Sequence, residues 1–233
     1  MNPFDASILG AFNRAVGALP AFDRFVVWLA AEPVVKGCVV AAVVWALWWS
    51  ATAAQQHARR EIILSTMVAT LFAEFLARLL ALMTPFRLRP MHNADFPFRL
   101  PDDLPRGELE GWSAFPSDHA VMFFALATGL WFVSRRVGGW LLLFAAVVIC
   151  LPRVYLGMHH PTDVIGGALL GMAVGSAFQW PALRQAVAGP LLKWHARSPS
   201  TFYAFAWYFT YELARLFEEL RWGLNAVVHA VKG

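Results

Sequence analysis

The sequence predicts an all-α integral membrane bundle with five or six transmembrane helices. Composition, a series of long apolar runs and short basic connectors carry that prediction. Apolar residues make up 59% of the 233 and charged residues only 15%, with a mean hydropathy of +0.53. Soluble domains carry about a quarter charged residues, so a water-facing exterior could not be covered here. The length suits one bundle without a second sizeable domain. The net charge of +4 is distributed among connectors rather than along one face, which excludes a nucleic-acid footprint.

The first segment, 1–33, is expected to be an interfacial helix or the first membrane helix. Its start, MNPFDASILGAFNRAVG, lacks the basic, apolar and small-residue stages of a signal peptide, so it is expected to stay on the mature protein. Leu9, Phe12, Val16 and Leu19 recur near helical spacing, as in a helix lying on a membrane. The short run 22–31 before Pro33 either completes a crossing or rests at the interface. Five further runs, 34–53, 61–84, 119–134, 138–155 and 163–180, approach the roughly 20 residues that a crossing needs. They define a bundle over 34–181, with 85–116 as a long outer loop. Cys38 and Cys150 lie inside apolar runs and read as core residues, with no partners for a disulfide or a metal. The tail, 182–233, is basic and then aromatic. Glu212, Arg215, Glu218, Glu219 and Arg221 point to an amphipathic helix on the surface rather than a crossing.

Orientation follows from the connectors. The basic pieces at 55–60 and 134–136, and the region of Arg184, Lys193 and Arg197, fall on one side, which the positive-inside rule makes cytoplasmic. The loop 85–116 and a tight turn at 157–161 fall on the other. Ionisable residues at a membrane edge are costly and usually functional. On this non-cytoplasmic side they form three clusters: Arg87-Leu88-Arg89-Pro90, Pro116-Ser117-Asp118-His119, and the stretch from Arg153 through His159-His160-Pro161 to Asp163. Arginine forks match phosphate oxygens in charge and geometry. A serine at a helix start adds a hydroxyl and main-chain donors where the helix dipole favours an anion. Two histidines allow one to attack and the other to protonate a leaving oxygen. An aspartate four residues after His159 can hold one ring nitrogen. With no glycine-rich phosphate loop and no acidic metal cage, the set implies phosphoryl transfer without nucleotide, metal or other cofactor.

These clusters resemble the signature of the type 2 phosphatidic acid phosphatase superfamily, which includes vanadium haloperoxidases. That signature runs K-x6-RP, PSGH, SR-x5-H-x3-D. Arg89-Pro90 matches the end of the first block; Pro116, Ser117 and His119 match the second; Arg153, His159 and Asp163 match the third in spacing. The variant PSDHA, with Asp118 for glycine, is similar to undecaprenyl-pyrophosphate phosphatases of the bacitracin-resistance type. The resemblance implies a haloperoxidase-like helical fold with 34–181 as its catalytic bundle, and a catalytic set of His159, His119 and Asp163. By that resemblance His159 is expected to be the nucleophile, with Asp163 steadying it and His119 serving as acid and then base. Arg89, Arg153, Ser117 and Asp118 are expected to line the phosphate site.

Two positions depart from the signature. Leu82 stands where the family lysine belongs, and Pro152 replaces the serine before Arg153. Arg78 lies one helical turn before Leu82. It either takes over the lysine's phosphate contact or only pairs with Glu74; Arg87 and His92 are further candidates. The expected partners are a polyprenyl or glycerolipid phosphate and the bilayer, with no nucleic acid. The expected location is a bacterial inner membrane, with the site facing the periplasm or exterior. Undecaprenyl pyrophosphate leads as substrate. A lipid phosphotransferase, for example one acting on lipid A, and a non-catalytic lipid-phosphate binder stay open as alternatives.

Overall fold

The computed structural model describes residues 1–32, 34–50, 52–105, 107 and 109–215, and every regular element among them is helical. Helix α1 (Pro3–Ala15) starts at Asn2, whose side chain accepts from the Asp5 main-chain N–H, and α2 (Pro20–Ala31) follows a turn at Gly17. A π-helical turn, Val34–Cys38, leads into α3 (Val39–Trp49). Helix α4 (Ala53–Met83) is the longest. The loop to α5 (Asp118–Trp131) contains one 3-10 turn, Pro90–His92. Helix α6 (Arg135–Phe144) continues through a π-helical stretch, Ala145–Cys150, into α7 (Leu151–Tyr155). Helices α8 (Pro161–Ala177), α9 (Pro181–Arg197) and α10 (Pro199–Ala214) complete the described chain.

The helical membrane fold is as expected. By length and composition, 54–83 and Arg135–Tyr155 can each cross a membrane alone. The bent pairs Pro20–Ala31 with Val35–Trp49, and Pro161–Ala177 with Pro181–Arg197, raise that number to four. Helix α5 has only 14 residues, about 21 Å of rise. It is the central helix, buried along most of its length against α4, α6 and α8. The basic connector 55–60 is not a loop. It forms the first turns of α4, where the Arg60 guanidinium lies 4.8 Å from the Trp48 ring centre and covers it.

Packing of α8 on α5 sets the architecture around the site. Gly167, Gly171 and Gly175 recur every four residues, so they line one face of α8. A Cβ on Gly171 would stand 2.3 Å from the Val121 carbonyl oxygen, and one on Gly175 would stand 2.5 Å from that of Ala125. Small residues let membrane helices approach until dispersion and backbone contacts hold them, because lipid offers no hydrophobic drive between helices. The tail also packs more than a surface helix would. Phe202, Ala206, Phe209 and Leu213 join the core cluster that holds Val40, Trp48 and Leu126. Glu218, Glu219 and Arg221 of the expected surface helix lie outside the described residues.

Candidate active site

All three polar clusters converge at one end of the bundle. Ser117 caps α5 and His160 caps α8, and the Ser117 main-chain N–H donates to the Asp163 carbonyl over 3.2 Å. The two helix starts are thereby joined. Between α7 and α8 the chain reverses at Gly157, whose φ of +69° lies in the left-handed region that glycine enters without steric cost. The reversal lets the Met158 and His159 N–H groups donate to the Arg153 carbonyl, at 2.9 and 3.3 Å. Arg153 and His159 thus come together through main-chain geometry.

His159 is buried, and its ring orientation is fixed. Nδ1 lies 2.8 Å from the Ala114 carbonyl oxygen. A carbonyl can only accept, so Nδ1 carries the proton and Nε2 holds a lone pair. Arg89 Nη1 stands 3.2 Å from that Nε2. The Arg89 guanidinium is itself held by the carbonyls of Met158, Trp112 and Ser113. Burial, then the Arg89 and Arg153 cations, hold the His159 pKa well below its ordinary value. The ring is neutral at pH 7 and has nucleophilic capacity.

Across the site, His119 Nε2 lies 2.5 Å from Arg153 Nη2. Arginine only donates, so in this arrangement His119 Nε2 is the acceptor. An anion that engages Arg153 would release His119 Nε2 to carry a proton. The Ser117 hydroxyl is fully buried and has no hydrogen-bond partner among the described residues. An orphaned buried hydroxyl costs about 1–3 kcal/mol, which a bound acceptor would offset.

Asp163 departs from its expected role. Its carboxylate lies 3.9 Å from His159 Nδ1, too far for a hydrogen bond, because the Ala114 carbonyl already occupies that nitrogen. Instead Asp163 accepts from the His160 main-chain N–H at 2.7 Å, from His160 Nδ1 at 2.9 Å, and from Arg87. His160, which fits neither motif spacing, is the residue whose ring Asp163 holds. Arg87 is committed to Asp163, to Thr162 at 3.0 Å and to Asp5 at 2.8 Å. It faces carboxylates and a hydroxyl in place of the candidate phosphate.

Asp5 gave no signal in the sequence. It is fully buried, and it accepts from the Thr162 N–H at 3.0 Å and the Thr162 hydroxyl at 2.7 Å. Burial raises the Asp5 pKa, but hydrogen bonds from Thr162, Asn2 and Arg87 outweigh it and hold the carboxyl below its usual value. Helix α1 is thereby pinned to the start of α8.

Leu82 is exposed on α4, whereas Arg78 reaches the site. Arg78 pairs with both Asp118 and Glu74, and its guanidinium lies 4.6 Å from the Trp112 ring centre. Arg78 thus keeps the Glu74 pairing and also reaches Asp118 at the start of α5. The Asp118 carboxylate offers only acceptors, so its donor toward an anion is the main-chain N–H at the α5 start. His92 ends the 3-10 turn. Among the described residues, no group of three or more His, Cys, Asp or Glu side chains is placed to hold a metal ion.

The chain is similar to several known proteins. The profile described as the PAP2 superfamily matches residues 64–186. YbjG of Escherichia coli (strain K12), provisionally named an undecaprenyl-diphosphatase, is 26% identical over 193 residues, covering 81% of this chain and 89% of its own. The bacitracin transport permease protein BcrC of Bacillus licheniformis is 32% identical over 124 residues, 53% of this chain and 57% of its own. Lipid A 1-diphosphate synthase of E. coli is 34% identical over 62 residues, 27% of this chain and 26% of its own. No solved structure matches the chain.

Proposed function

The chain belongs to the PAP2 superfamily, and from that premise we propose that it is a membrane lipid phosphatase acting through a phosphohistidine. The substrate is undecaprenyl pyrophosphate or a related lipid phosphate, and the terminal phosphate is removed. Similarity to YbjG, and to proteins of the bacitracin-resistance type, supports that substrate class. The observation that carries the reading is a pair of buried histidines, each with its Nε2 set against an arginine. His159 Nε2 faces Arg89 with its lone pair fixed, while His119 Nε2 faces Arg153.

In the proposed cycle, His159 Nε2 attacks the terminal phosphorus in line with the bond to the leaving oxygen. That P–O bond breaks, and His119 delivers a proton to the departing oxygen. His119 then takes a proton from water as the water oxygen attacks phosphorus, the N–P bond breaks and phosphate leaves. Phosphoryl transfer is governed by positioning and charge stabilisation. Arg89, Arg153, the Ser117 hydroxyl and the main-chain N–H groups at the α5 start supply those donors. Arg78 adds charge at the flank that Leu82 leaves bare. Asp163 acts as a positioning residue, through His160 and Arg87 rather than through the His159 ring. The enzyme sits in a bacterial inner membrane with this site on the outer face.

The test is phosphate release from a panel of lipid phosphates in detergent with chelator present. Wild type should release phosphate and form an acid-labile phosphoenzyme, and His159→Ala should do neither. Equal activity of the two proteins would sink the nucleophile assignment. Similarity to lipid A 1-diphosphate synthase makes transfer to a second lipid the rival outcome, revealed by dependence on an added acceptor. Binding without release from any lipid phosphate would make the protein a binder.

A further inference from the structure

We infer that Lys36 recognises the second, retained phosphate of a lipid diphosphate and so sets selectivity for diphosphates over monophosphates. The inference rests on the phosphatase reading above and extends it to a residue outside the three motif clusters. Lys36 belongs to the π-helical turn that opens α3, at the break between the two halves of a bent candidate span. It is only 3% exposed. A buried ammonium inside a membrane bundle is costly, and such residues mark substrate or ion sites. Broken helices are where membrane proteins commonly place them.

Its position relative to the site is fixed by one shared acceptor. Lys36 Nζ donates to the Ala30 carbonyl at 2.5 Å, and Arg153 Nη2 reaches the same oxygen at 3.5 Å. Ala30 lies in the last turn of α2, where main-chain carbonyls lack helical partners and the dipole favours cations. The same Arg153 nitrogen contacts His119 Nε2. The contacts therefore run in order from His119 to Arg153, and through the Ala30 carbonyl to Lys36.

In-line displacement turns that order into a substrate orientation. The nucleophile and the leaving oxygen lie on opposite sides of the transferred phosphorus. His159 takes one side, so the leaving oxygen lies toward His119. In a diphosphate that oxygen belongs to the retained phosphate, which then rests against Arg153 and Lys36. In a monophosphate the leaving oxygen is a plain alkoxide, and nothing negative reaches Lys36. A cation here stabilises the charge that builds on the departing phosphate.

The experiment compares kcat/KM for a polyprenyl diphosphate and the polyprenyl monophosphate of the same chain length. It uses the full-length protein in detergent, as wild type, Lys36→Met, Lys36→Arg and His159→Ala. Losing one charge-assisted phosphate contact should lower the diphosphate-to-monophosphate ratio about 10- to 100-fold in Lys36→Met, and Lys36→Arg should recover part of it. A residue that only caps α2 would lower both substrates together. An equal fall on both, or an unchanged ratio, overturns the Lys36 assignment while leaving the phosphohistidine reading intact. That reading fails separately, if His159→Ala keeps wild-type turnover.

Discussion

Replacing Gly171 by alanine tests whether the α5–α8 contact sets the geometry of catalysis. The new Cβ would sit 2.3 Å from the Val121 carbonyl oxygen and 2.9 Å from the Ala125 nitrogen. Real Cβ contacts essentially never fall under 3.0 Å, so the first contact is about 0.7 Å too short. Both opposing atoms are backbone, so no rotamer change relieves the clash and the helices themselves must part. The start of α5 carries Ser117 and His119, and the start of α8 carries Asp163 just after His159 and His160. The 3.2 Å bond from Ser117 N–H to the Asp163 carbonyl has little room to stretch. A misplacement near 1 Å costs about 100-fold in rate, and overpacking costs about 1–3 kcal/mol in stability. The assay is phosphate release from the lipid diphosphate together with a thermal unfolding midpoint in detergent. Gly189→Ala, where an added Cβ meets nothing within 4 Å, is the control and should change neither reading. Wild-type turnover and midpoint in Gly171→Ala would refute the argument that this close approach positions the site.

Arg78→Ala should lower turnover about 10- to 100-fold if its charge serves the phosphate; near-normal turnover in folded protein would remove Arg78 from the anion-binding set. Asp5→Ala removes a buried carboxylate that ties α1 to Arg87 and Thr162, and should cost about 2–4 kcal/mol in detergent unfolding. An unchanged midpoint would mean that this anchor adds nothing. Stability should also depend on pH through His159. Below its ordinary pKa of 6.5, the unfolded chain binds a proton that the folded ring refuses. Stability therefore falls with decreasing pH, by at most about 1.4 kcal/mol per pH unit, until the folded pKa is reached. Thermal midpoints between pH 7.5 and 5.5 should fall more steeply for wild type than for His159→Gln, and equal slopes would contradict the buried neutral ring.

Most of the candidate site was legible because its residues sit at fixed spacings on short stretches of chain. Ser117 and His119 are two apart at a helix start, and Arg153 and His159 flank one turn. What misled was the interval from His159 to Asp163, read as one that lets the carboxylate hold a ring nitrogen of His159. His159 and Asp163 are four apart, but α8 begins only at Pro161, so His159 lies outside the helix and the neighbour rule does not reach it. Its ring turns to the Ala114 carbonyl, 45 residues away. No pattern in the sequence marks a main-chain acceptor. Lys36 and Asp5 were missed for a related reason, since a single charge in or before an apolar run carries no period. The glycines of α8 were readable as a repeat every four residues, but which helix they meet was not.

The sequence by itself determined the membrane class, the helical character and the polar residues that make up the candidate phosphate site. Composition, hydropathy and motif spacing are properties of contiguous chain. Only the tertiary structure decided who partners whom: Ala114 with His159, His160 with Asp163, Asp5 with Thr162, Arg78 with Asp118, and Lys36 beside Arg153. Those pairings depend on helix starts meeting at one end of a bundle. The close approach of α8 to α5 fixes that meeting through backbone contacts which no local pattern encodes.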